Sequence, residues 1–172
     1  QSIASEVTPF CNFAYTEPIL QTDLLEARYH EASIAFSDDG TKVFLTRSNF
    51  DFEDKGRNAE GVVTLQIYQA AVDEKGNWQQ VERLPFNDDA YSFMHPALSP
   101  DGQFLYFASD IPGGFGGMDL YVSEVVDGRF GSPVNLGEQI NTEGNEVFPF
   151  FHHSGLLYFA SDGQIGLGGL DI

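Results

Sequence analysis

Cationic side chains are scarce in this sequence: 8 Lys and Arg stand against 26 Asp and Glu, a formal charge of −18. A surface of that sign repels the phosphate backbone of nucleic acid and anionic lipid headgroups, so neither is an expected partner. Cysteine is nearly absent. Cys11 stands alone, which rules out an intramolecular disulfide and leaves the redox compartment unread. Long apolar runs are missing too. Stretches such as 155–160 are strand-sized, far below the roughly 20 residues of a spanning helix, so direct membrane insertion by this segment is not expected. There is no Gly-x-Ser-x-Gly elbow and no His-Glu-x-x-His helix, which leaves a hydrolase without a visible nucleophile or metal site. The chain opens on Gln1, with no basic start and apolar core of a signal peptide. The expectation is that such a segment was removed or that the chain was cut from a longer one.

What is abundant points to strands. With 42% hydrophobic residues, 16 Phe, 7 Tyr and 18 Gly, the composition suits many short strands joined by tight turns, and an all-β fold is expected. Internal repetition then defines the organisation. His95-Pro96-Ala97-Leu98-Ser99-Pro100-Asp101-Gly102 leads into Phe104-Leu105-Tyr106-Phe107-Ala108-Ser109-Asp110. Pro149-Phe150-Phe151-His152-His153-Ser154-Gly155 leads, one residue shorter, into Leu157-Tyr158-Phe159-Ala160-Ser161-Asp162. Both continue through a glycine-rich loop to Asp119-Leu120 and Asp171-Ile172, each aspartate nine residues after the one that ends the strand. A more divergent copy begins at His30, with Asp38-Asp39-Gly40 before Lys42-Val43-Phe44-Leu45, and carries an insertion around 51–60.

A period of about 50 residues with strand–turn–strand content is the signature of β-propeller blades. The middle copy divides into a first strand over 94–98, a turn at 99–102, a second strand over 104–109, a third over 119–126 and an outer fourth over 129–136. Asp101 and Gly102 supply the turn chemistry, Gly102 by taking positive φ. The chain therefore reads as about three four-stranded blades of a larger propeller. Residues 1–29 are the end of a preceding blade or a lead-in, 30–94 a blade with an insertion, 95–148 a blade, and 149–172 a truncated blade. An unfinished blade exposes apolar strand surface, so the excerpt is not expected to be a stable monomer by itself.

These motifs, with Pro133-Val134-Asn135-Leu136-Gly137 and Ile140-Asn141-Thr142-Glu143, resemble the TolB-type WD-like propeller repeat. They are similar in particular to propellers of large cell-envelope proteins that carry an OmpA-like domain. The resemblance covers about residues 30–172. It implies a periplasmic, outer-membrane-associated or cell-surface setting, with other envelope or secretion-complex proteins as partners, including type IX secretion or gliding assemblies. Peptidoglycan would be reached only through an OmpA-like domain, and no such domain lies in this sequence.

Candidate sites are few. The glycine-rich loops join two strands and no Lys-Ser or Lys-Thr follows them, so they read as turns rather than phosphate cradles. Asp119 and Asp171 recur at one blade position and read as caps on backbone N–H groups of the loop. Asp110 and Asp162 lack the oxygen-ligand density of a calcium site. His152 and His153 are neighbours in a turn and diverge, which disfavours shared coordination. No catalytic residue, metal site or cofactor is assigned. Glu31 and Glu146 precede the first strands of their copies, where Phe93 stands in the middle one. At the mouth of a central channel they are candidates for holding a cation or a basic partner segment, against the plainer reading of exposed loop carboxylates or local caps. The expected function is a non-catalytic interaction or scaffold module. The alternatives are a propeller-type glycosidase, the propeller of a peptidase, or a glycan-binding module using exposed aromatics such as Phe115 and Tyr91.

Overall fold

The computed structural model describes residues 31–49, 57–166 and 168–172, with residues 31 and 32 as backbone alone. It is all-β, with antiparallel pairing throughout and no helix among the described residues. The first sheet runs β1 (Glu31–Phe36), β2 (Lys42–Ser48), β3 (Leu65–Val72) and β4 (Trp78–Arg83) in sequential order. The second holds β5 (Phe93–Leu98), β6 (Phe104–Ser109), β7 (Asp119–Val126), β8 (Arg129–Phe130) and β9 (Val134–Asn135), and the third pairs β10 (Glu146–Phe151) with β11 (Leu157–Ser161). A bridge between Ser161 and Asp171 matches the Ser109–Asp119 pair of the second sheet. β5 touches both β1 and β10, so the first strands stand side by side at the centre and each sheet runs outward from them. Up-and-down sheets arranged in this way are propeller blades.

Each β1–β2-type hairpin closes by one device. The Gly40, Gly102 and Gly155 amides donate to the carbonyls of Ser37, Ser99 and His152 at 2.8–2.9 Å. Gly102 has φ +70°, which a side chain would strain. Asp101 accepts from the Ser99 hydroxyl at 2.6 Å and from the Gln103 amide at 3.0 Å, and Asp39 repeats this with Ser37 and Thr41. These bonds favour the charged carboxylate. The Ser37 hydroxyl is the largest influence holding Asp39 at about 2, and the Ser99 hydroxyl likewise lowers Asp101.

The middle blade is buried on both faces of β6. Leu105 and Phe107 pack on Phe44, Ile67 and Leu84 of the first blade, while Ala108 joins Leu120, Val147 and Ala160 against the third. Phe107 stacks on Phe86 at 4.9 Å and on Tyr121 at 6.1 Å. Phe159, the repeat equivalent of Phe107, is only half-buried. It packs at the margin of the Ala108 cluster, and no ring of the described residues stacks on it.

The fourth strand differs from expectation. In place of one strand over 129–136, two short ones flank Gly131-Ser132-Pro133, because Pro133 has no N–H to give a ladder. Asn141 completes the pairing that a strand would have made. Its side-chain amide accepts from Leu120 N at 2.7 Å and donates to Leu120 O at 3.0 Å. Asn87 brackets Ile67 in the first blade the same way, at 3.3 and 2.7 Å.

Removing the Phe107 ring leaves a cavity between two blades. Phe107→Ala is expected to lower the unfolding free energy by about 3–5 kcal/mol. Denaturant titration checks this, and a loss below about 1 kcal/mol would contradict the packing described.

Candidate functional site

A feature with no signature in the sequence shapes the centre of the molecule. Each first strand carries one extra residue relative to its partner, and that residue adopts positive φ: Ser33 at 47°, His95 at 57° and Phe148 at 53°. These are β-bulges at one repeat position. Pro96 and Pro149 follow the bulged residue in two of them, where no ladder donor is required. The bulges and the residues after them line a cavity of about 480 Å³ between the three first strands. Ile34 and Phe36 contribute from β1, Leu98 from β5, Phe150 and Phe151 from β10, with Asp38, Ser99 and His153 as polar members. Ile34, Phe36, Phe148 and Phe150 are each more than half exposed.

His95 ties this centre together across three blades. Its amide donates to Thr46 Oγ1 of β2 at 2.9 Å, its Nδ1 accepts from Phe148 N at 3.3 Å, and its ring stacks on that of Phe148 at 3.8 Å. Burial disfavours the imidazolium and lowers its pKa to about 4.

Glu31 pairs through its backbone with Arg47, as Phe93 does with Ser109 and Glu146 with Ser161. The three are equivalent, and the Glu31 side chain lies outside the described residues. Glu146 does not fit a recruitment charge. It has no solvent access, because its carboxylate accepts from Thr142 N at 2.9 Å, Thr142 Oγ1 at 2.6 Å and Ser161 Oγ at 2.6 Å. It fastens the loop before β10 to β11 and offers nothing to a partner.

The recurring aspartates hold backbone. The Asp119 carboxylate, itself buried, accepts from Phe115 N at 2.7 Å, Gly116 N at 3.1 Å and Asn135 Nδ2 at 2.8 Å. Asp171 accepts from Gly168 N at 3.2 Å. A Cβ on Gly114 would fall 2.1 Å from the Asp119 carboxylate, and one on Gly166 would fall 2.0 Å from that of Asp171, so glycine is required where the cap closes on its loop. Asp110 accepts from Ser92 N, and Asp162 from the Asn145 backbone and side-chain amides, each at 2.6–2.9 Å, which fixes the entry to the next first strand. The Asn145 side chain is the main cause of the lowered pKa of Asp162. No three His, Cys, Asp or Glu side chains converge among the described residues. The His152 and His153 rings lie 3.9 Å apart, with His152 Nδ1 bonded to Ser154 Oγ at 2.7 Å. Phe115 is exposed at its loop tip, while Tyr91 is half-buried in a groove with Phe86, Phe93 and Pro112.

No family model matches the sequence, and no curated protein matches it. Among solved structures the chain is similar to a putative TolB from Agrobacterium tumefaciens, at 21% identity and a TM-score of 0.49 over 81% of this chain and 39% of that one. It is similar to a puromycin-hydrolyzing peptidase from Mycobacterium tuberculosis, at 19% identity and 0.45 over 80% and 22%. TolB from Acinetobacter baumannii gives 15% identity and 0.36 over 86% and 44%. The chain thus spans less than half of each.

Replacing Glu146 by Gln swaps an acceptor for a donor among three donors. Glu146→Gln is expected to cost about 1–3 kcal/mol of stability, equally at low and high salt because the group is shielded from ions. Equal denaturation midpoints for the two proteins would overturn this assignment.

Proposed function

We propose that this chain is a non-catalytic propeller module that docks a protein partner through the central face lined by its first strands. The observation that carries the reading is the apolar rim. Ile34, Phe36, Phe148 and Phe150 stand more than half exposed around one cavity, held by strands whose bulges fix their direction. Contiguous exposed apolar and aromatic groups on a rigid frame are what a protein interface uses for its central contacts. The formal charge of −18 favours a partner with a basic rim, approached faster at low salt.

The cell-envelope setting is part of the proposal. It is supported by the TolB-type motifs of the repeat, from Ser99-Pro100-Asp101-Gly102 through Asn141-Thr142-Glu143, which resemble those of envelope propellers. The partners proposed on that basis are other envelope or secretion-complex proteins. The location proposed is the periplasm or the outer-membrane surface.

Position-specific photo-crosslinking in cells that make the native protein tests the docking face. A crosslinker at Ile34 or Phe150 is expected to trap a discrete protein partner, and one at Val126, similarly exposed on the β7–β8 hairpin, is not. Equal trapping from both places contradicts the reading, as does turnover of a peptide or glycan by the purified protein.

A further inference from the structure

We propose that His95 is a proton-operated latch that holds the second and third blades together along the central face. Several observations place it there. The residue sits at the bulge of β5 in a left-handed conformation, 8% exposed, and makes the contacts that run from β5 to both neighbouring blades. Because Phe148 N donates to Nδ1, the neutral ring must carry its proton on Nε2. Protonation at Nδ1 puts a second donor against the Phe148 N–H. One of the two must turn away, which breaks the bond between the Phe148 N–H and the ring.

Among the described residues no carboxylate is hydrogen-bonded to the His95 ring, and the Glu31 side chain lies outside them. On β2 the facing group is the neutral hydroxyl of Thr46, with Lys42 and Arg47 as the charged residues of that strand. On β10 Glu146 is committed to Thr142 and Ser161. Asp38 after β1 and His153 after β10 line the same cavity, and Tyr106 on β6 stacks on Phe151. Burial alone accounts for the lowered pKa of His95. A fall from 6.5 to about 4 makes proton loss from the ring roughly 300-fold more favourable in the folded chain than from an unperturbed imidazole.

The sign follows from linkage. With the folded value below the unfolded one, the stabilisation from His95 is complete above about 6.5 and is lost as pH falls toward 4. The latch is closed at neutral pH and opens in acid. Its opening would move Phe148, which lines the cavity, so the docking face would change shape with pH; that consequence rests on the function proposed above, whereas the latch does not.

Histidine NMR titration and amide hydrogen exchange of the full chain at micromolar concentration, between pH 6.5 and 3, test the latch without a partner. His95→Asn is the control, since asparagine tolerates the left-handed conformation and keeps an acceptor for Phe148. The expected result is a histidine signal, absent from His95→Asn, that titrates near 4. Over the same range the protection of the Phe148 amide, corrected for intrinsic exchange, falls at least about tenfold in the wild type alone. Titration of His95 near 6.5 would overturn the proposal, as would low titration with unchanged Phe148 protection. If His95→Asn fails to fold, the coincidence of the two wild-type curves decides alone.

Discussion

A blade of this protein has two apolar faces, and everything else follows from the need to cover both. On β6, Leu105 and Phe107 point toward the first blade while Tyr106 and Ala108 point toward the third. The alternation places two large side chains, Leu105 and Phe107, on one side and a small residue beside a ring on the other. Thus Phe107 meets Phe86 and Tyr121, and Ala108 lets Val147 and Leu120 close in. A sheet with a hydrated face would leave one of these sets in water, at a cost of about 25 cal/mol for every Å² of apolar surface. Neighbouring sheets are therefore a condition of each sheet's stability, as in other repeat folds.

Close stacking of sheets leaves loops with polar backbone to satisfy, and short polar side chains do this in a repeated pattern. Asp119 and Asp171 cap the glycine-rich loops, Asp110 and Asp162 anchor the next first strand, and Asn87 and Asn141 stand in for missing strand partners. Gln66 occupies the position of Asp119 in the first blade. Fully buried, it donates to the carbonyls of Asp88 and Tyr91 and accepts from Arg83. The residue changes while the task of tying a loop to the third strand persists.

Much of this was legible in the sequence because it depends on period and turn chemistry. The run from Phe104 to Ser109, the hairpin at Asp101-Gly102, the third strand from Asp119 and the capping of its loop all follow from local signals. The bulges were not legible. A positive φ at Ser33, His95 or Phe148 is imposed by packing at a crowded centre, and no side-chain type announces it apart from the proline that follows two of them. For Glu146 repetition located the position along the strand but not its direction: Thr142 and Ser161 turn it inward, as a local cap rather than a recruitment charge. The fourth strand failed where Pro133 interrupts a ladder that hydrophobic content alone would continue.

The middle blade is packed on both faces, and on the second face, beside the Ala108 cluster, Tyr106 of β6 stacks on Phe151 of β10 at 5.3 Å. A double-mutant cycle with Tyr106→Ala and Phe151→Ala, read by denaturant unfolding, measures that contact directly. The account predicts a favourable coupling of about 0.5–1.5 kcal/mol between the rings. Additive effects of the two substitutions would contradict the packing of these rings across the face between the second and third blades.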